Sequence, residues 1–172
     1  VGGGYTGTIT AILLSRMASG PLDIRIIEPR ADLGRGVAYD TDDPAHRLNV
    51  PPGLMVLYLD DIEHFSRYVA AQGIAAADPD AVAADGSLYV RRQVFGDYMV
   101  AEVRAHMAEN PSNSTISHLR DHAASLAAAG GRFRLATARG NEVIADAVVL
   151  CTSHGRPSLP PGFPESLAGH DG

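Results

Sequence analysis

The sequence predicts an α/β fold: a parallel sheet covered by helices, with a small antiparallel β-meander. Three observations predict it. A glycine-rich opening runs into helical spacing and then into a β-branched run. A long segment rich in Gly, Pro and Asp separates that unit from two further helical patterns. From Thr115 onward the apolar residues follow the period of strands. The chain has 172 residues, 45% of them apolar and 20% charged, which suits a single domain with an ordinary core. That domain is read over residues 1–157, incomplete at its N-terminus, with a helical excursion at about 60–110 and an irregular tail at 158–172.

Residues 6–19 carry Ile9, Ile12, Leu13 and Met17 with small Ala11 and Ala18, a helix with a wide apolar face that Gly20 and Pro21 stop. Residues 23–27 read as a short, largely buried strand. Loop, helix and strand form the second half of a βαβ unit, so a first strand is expected before Val1. Residues 29–60 are expected to be a binding loop, because connections this long are uncommon otherwise. Asp60 and Glu63 predict a capping box for a helix running through Ile62, Phe65 and Val69 to about Gln72. Residues 73–87, small and polar, read as a surface excursion. Residues 92–109 read as a second helix through Phe95, Met99, Val103 and Met107, ended by Asn110 and Pro111. Strands are predicted over 115–119, 133–137 and 142–151, with turns at Gly130-Gly131 and Gly140-Asn141. The alanine-rich residues 122–129 fit strand and helix alike. The apolar run 147–151 predicts a strand covered on both faces.

Composition excludes several chemistries. The net charge is −6, which does not favour nucleic acid as a partner. All basic residues are Arg, so neither a P-loop lysine nor a Schiff-base lysine exists. The lone Cys151 excludes an internal disulfide, a CxxC pair and a multi-cysteine zinc site. No apolar run reaches the ~18 residues of a membrane span, and no signal peptide appears, so no membrane partner is expected and a cytoplasmic location is the default. The opening at Val1 without Met reads as a piece of a longer protein.

The motif that carries chemistry is Gly2-Gly3-Gly4-Tyr5-Thr6-Gly7, a GxGxxG that opens a helix. Gly2 permits the tight turn, Gly4 lets backbone approach a pyrophosphate, and Gly7 allows close helix–strand packing. The first helical residues, Tyr5 and Thr6 among them, offer unpaired N–H groups and about half a positive charge to phosphates. Glu28 ends the next strand, where a carboxylate can accept both hydroxyls of an adenosine ribose and disfavours a 2′-phosphate. Pro29 and Arg30 flank it. Together these features predict a Rossmann-like fold that binds FAD or NAD.

A longer set of residues follows in order: Ile27-Glu28-Pro29-Arg30, then Leu33-Gly34-Arg35-Gly36-Val37-Ala38-Tyr39. Asp43-Pro44-Ala45-His46-Arg47-Leu48-Asn49-Val50-Pro51 and Phe95-Gly96-Asp97-Tyr98 complete it. With the glycine loop they resemble the FAD/NAD(P)-binding family of bacterial flavoprotein-like proteins related to N-hydroxylating flavin monooxygenases. The resemblance covers residues 1–157 and is most specific over 34–51. It implies the amino-terminal, FAD-binding part of a two-dinucleotide-fold flavoprotein, with NAD(P)H as co-substrate and monooxygenation as the reaction supplied by analogy. It also implies that Gly36, Val37, Ala38, Asn49 and Thr152 line the flavin side, with Tyr39 and His46 as further polar candidates. Asn49, between Leu48 and Val50, is expected to be buried and to bond either flavin or its own loop. The family's second FAD signature, a strand ending in Ala-Thr-Gly, falls on Cys151-Thr152-Ser153; Ser153 in place of Gly costs about 1 kcal/mol if the loop needs a positive φ. Neither a catalytic residue nor the small-molecule substrate is named by these residues.

Rival readings stay open. The chain is alternatively a non-catalytic module for FAD or an adenine nucleotide, or a methyltransferase-like nucleotide fold. His118 and His122, four apart, suit a metal only on a helix; Leu119 stands where a zinc protease has Glu, so no metal site is expected. Arg91 and Arg92 read as a solvated helix start, Cys151 as a buried strand residue, and Ser153-His154 as no catalytic pair.

Overall fold

The computed structural model describes residues 1–153. The tail predicted at 158–172 lies outside the described residues. Helix α1 (Tyr5–Met17) leads into β1 (Asp23–Ile27), then the single-turn α2 (Gly36–Tyr39). The excursion holds α3 (His64–Ala71) and α4 (Ile74–Ala77), followed by the long α5 (Arg92–Ala108). Strands β2 (Thr115–Leu119), β3 (Ala123–Ala129), β4 (Arg132–Thr137) and β5 (Glu142–Ala145) close the described chain.

The β1 and β2 strands pair in parallel, Asp23 opposite Thr115 through Ile27 opposite Leu119. Beyond β1 the ladder continues in a stub: Gly2 N donates to Ile27 O at 2.9 Å, Val1 N to Val149 O at 2.7 Å, and Cys151 N to Val1 O at 2.7 Å. The antiparallel sheet β3–β4–β5 is the expected meander. Its alanine-rich strand resolves the ambiguity at 122–129, because Ala123–Ala129 pairs along β4.

The core lies between α1 and α5. Ala11 and Ile12 of α1 meet Phe65, Phe95, Tyr98, Met99 and Val103, all buried. Phe65 packs edge-on to Phe95 with centroids 4.9 Å apart. Buried hydroxyls bond locally: Thr8 Oγ1 donates to Gly3 O and Ser15 Oγ to Ile12 O.

Three expectations need correction. The run 147–151 is not a strand, and Val149 and Leu150 are exposed. Its ladder partner is Val1 alone, and a single paired residue does not build a sheet. The Asp60–Glu63 capping box does not form: α3 begins at His64 without a side-chain cap, and Asp60 instead pairs with Arg16 at 2.6 Å. The 73–87 excursion is not merely surface, since Ala81 is buried and Asp78 binds both Arg47 and Arg91 at 3.0 Å.

Candidate functional site

The glycine loop is held by close approaches that no side chain tolerates. Gly2 has φ +91°, and a Cβ there would lie 2.2 Å from Cys151 O. A Cβ on Gly7 would lie 1.8 Å from Gly2 O. The predicted turn and packing roles of Gly2 and Gly7 thus fall on one contact, the return of the loop beneath α1. A Cβ on Gly4 would meet Gly36 Cα at 3.3 Å. Gly4 is the N-cap of α1 and makes no side-chain cap. The N–H groups of Tyr5, Thr6 and Gly7 have no carbonyl partner among the described residues, and Thr8 N is the first to bond, to Gly4 O at 3.0 Å. These orphan donors, with the dipole of a thirteen-residue helix behind them, form an anion-binding end.

Glu28 reaches this loop from the end of β1. It is buried, with Oε2 accepting from Gly3 N at 2.9 Å. Oε1 accepts from Arg30 N at 3.0 Å and from Arg30 Nη1 at 3.5 Å. His118 bonds the Glu28 carbonyl at 2.9 Å and steadies the strand end. The carboxylate therefore points into the loop rather than into bulk water, and Oε2, with one donor, keeps lone-pair capacity for a hydroxyl. Pro29 is half-buried and Arg30 exposed.

Above the loop lies the turn of residues 34–39. Gly34 N donates to Gly3 O at 2.7 Å. Gly36, with φ +57°, rests against Gly4, and a Cβ on it would lie 3.2 Å from Gly4 Cα. Val37 and Ala38 are exposed. Tyr39 packs against Phe95 and Tyr5 at centroid distances of 4.8 and 6.2 Å. Burial raises the hydroxyl pKa of Tyr5, with Tyr39 adding to it, and burial also raises that of Tyr39. Both therefore remain neutral donors around neutral pH.

The structure brings Gly2, Gly4, Tyr5, Thr6, Gly7, Glu28, Pro29, Arg30 and Gly36 together. Asn49 is exposed, correcting the expectation of burial: Leu48 turns inward, bonds its N–H to Val90 O, and leaves Asn49 facing out. His46 is also exposed, and its ring bonds Thr41 Oγ1 at 2.9 Å. Thr152 is exposed one residue beyond the Cys151–Gly2 contact, and Ser153 takes φ +65°, the strained conformation its place in the signature implies. Cys151 itself is half-buried in this stub rather than in a strand.

The remaining candidates have structural partners. His118 lies on β2, which ends at Leu119, and His122 lies beyond it between β2 and β3, so the helix that the metal reading needs is not there. Arg91 pairs with Asp78, and Arg92 Nε donates to Arg47 O at 3.2 Å, so both brace residue 47 instead of simply facing solvent. His154 lies outside the described residues. A cavity of about 450 Å³ lies along Leu14, Ile24, Ile26 and Val143, with Arg25 and Asp146 on its wall; it touches Gly2 and Gly7 from below but does not reach Glu28 or Gly36.

Sequence reasoning missed two participants. Gly3 is the second residue of the motif, where any residue is ordinarily allowed. Here a Cβ would meet Leu33 Cδ2 at 2.5 Å and Glu28 Cβ at 2.7 Å. Its signal was the unbroken run of three glycines. Arg35 was the other, ion-paired with Asp97 across to α5.

The site thus defines a class: an α/β protein whose glycine loop, helix N-terminus and buried carboxylate converge at the carboxyl end of β1. The family model described as FAD-NAD(P)-binding matches residues 1–155, and the chain belongs to that family, whose ligands are flavin or nicotinamide nucleotides. No curated protein matches. A solved structure of the Diels-Alderase PyrE3 in the biosynthetic pathway of pyrroindomycins is similar over 84% of this chain and 29% of that chain, at 12% identity and a TM-score of 0.44. This chain therefore spans less than a third of that protein's length. Among the described residues, no helix is long and apolar enough to cross a membrane.

Proposed function

We propose that this chain is the FAD-binding, Rossmann-like part of a flavin-dependent oxidoreductase that takes electrons from NAD(P)H. The observation that carries the reading is the convergence of orphan N–H groups at Tyr5, Thr6 and Gly7 with the inward-facing Glu28 carboxylate. The residues fit an adenine dinucleotide. The helix end supplies donors for the diphosphate, the missing Cβ at Gly4 lets Gly36 close in beside it, and Glu28 Oε2 can accept a ribose hydroxyl. Arg30 sits beside Glu28 with its side chain exposed, 3.5 Å from Oε1, and can yield to the sugar. When bound, the flavin supplies the redox chemistry; this chain positions it and shields it from water. Val37, Ala38 and Thr152, exposed around the loop, are assigned to the flavin side, and a small-molecule substrate, a cytoplasmic location and monooxygenation go with the reading.

A second reading, a module that holds FAD without turnover, is favoured by one observation: Ser153 occupies a left-handed conformation that Gly adopts without strain. Anaerobic addition of NADH or NADPH to the flavin-loaded full-length protein separates the two. Bleaching of the flavin absorbance supports the oxidoreductase, and a flavin that stays oxidised with both nucleotides supports the module.

A further inference from the structure

The run Phe95-Gly96-Asp97-Tyr98 lies on α5, outside the loop and the strand end that form the site, yet three of its residues reach back to it. Phe95 is buried against Tyr39 at 4.8 Å and Tyr5 at 5.8 Å between centroids. A Cβ on Gly96 would lie 2.6 Å from Tyr39 O and 2.9 Å from Arg35 Nη1, so only glycine lets the turn seat on this helix. Asp97 is ion-paired with Arg35. One turn of α5 therefore grips both ends of the turn 35–39, and Gly36 within that turn packs against Gly4 at the start of α1.

We propose that Arg35, Phe95, Gly96 and Asp97 form a positioning clamp that sets residues 36–39 against the N-terminus of α1, and that the clamp governs how tightly the diphosphate of an adenine dinucleotide is held there. The affinity half rests on the nucleotide reading above. Arg35 and Asp97 are positioning residues: the guanidinium is neutralised by Asp97 and its head is directed toward α5, away from the orphan N–H groups it helps to frame. Arg35 is largely covered and Asp97 is not, with 19% and 46% of their side chains accessible, so removing the Asp97 charge costs little global stability and registers at the site.

The test uses the full-length protein, FAD as probe and hydrogen exchange as a second readout. Asp97→Asn and Arg35→Ala are each expected to weaken FAD binding about tenfold. Exchange at residues 36–39 rises, while urea midpoints hold. The double reversal, Arg35→Asp with Asp97→Arg, recovers most of the affinity. Tighter binding in Asp97→Asn, or a reversal that recovers nothing, assigns Arg35 to the phosphates directly and overturns the clamp. Unchanged exchange at 36–39 in Asp97→Asn overturns it as well. A wild type that takes up no FAD overturns the nucleotide reading and the affinity half of the proposal, while exchange still judges the positioning half on its own.

Discussion

At the glycine loop, a Cβ on Gly7 would lie 1.8 Å from Gly2 O and one on Gly3 2.5 Å from Leu33 Cδ2. At the meander turns, Gly130, Gly131 and Gly140 have nothing within 4 Å of such an atom, and φ values of +59°, +81° and +83°. The loop needs glycine for space, and at Gly2 for conformation too; the meander needs it for backbone conformation alone. The same contrast runs through the aromatics. Phe95 is 1% exposed in the α1–α5 core, whereas Phe133 on β4 is 37% exposed. The half that frames the site is close-packed and intolerant of volume changes. The meander is a thin sheet whose buried apolar members are Leu135 and Val143.

The largest expected effect breaks or confirms this contrast directly. Phe95→Ala should cost about 3–5 kcal/mol in urea unfolding and Phe133→Ala about 1 kcal/mol. Similar losses at both would remove the distinction. Next, Gly7→Ala should cost about 3 kcal/mol through the clash with Gly2 O, against about 1 kcal/mol for Gly131→Ala, where φ alone is strained. A smaller effect tests the brace on residue 47. Hydrogen bonding from Arg47 holds the Asp78 carboxyl below its ordinary pKa, with the charges of Arg47 and Arg91 adding to it. A lowered folded-state pKa means the contribution is fully present above the unfolded value of ~4 and is lost as pH falls through the folded value. Stability should therefore drop on acidification below ~4, and Asp78→Asn should lose about 1 kcal/mol at pH 7 and flatten that limb. Smallest is a gain: Ser153→Gly should stabilise by up to about 1 kcal/mol by relieving the left-handed backbone.

Much of the fold was legible because its signals are local. The spacing of Ile9, Ile12 and Leu13 sets α1, and Phe95, Met99 and Val103 set α5, each within a residue or two of the predicted bounds. The β-branched Ile24, Ile26 and Ile27 mark β1, and Glu28 falls beside the glycine loop as its spacing implied. What was not legible depends on partners distant in sequence. Asp60 looks like a cap until Arg16 competes for it. The run 147–151 has the composition of a buried strand, but pairing needs a neighbour and Val1 is the one it finds. Asn49 sits between apolar residues, and the alternation that buries Leu48 sends it outward. Gly3 shows no turn requirement on its own, because its need comes from the Glu28 and Leu33 side chains packed over it.

The most direct test of the central claim is a fluorescence titration of FAD into the apo full-length protein, wild type against Glu28→Ala. The account predicts saturable, stoichiometric binding that weakens about a hundredfold in the variant, since the carboxylate that holds Gly3 is the group proposed to grip the ribose. Equal affinities, or a folded wild type that takes up no FAD, would contradict it.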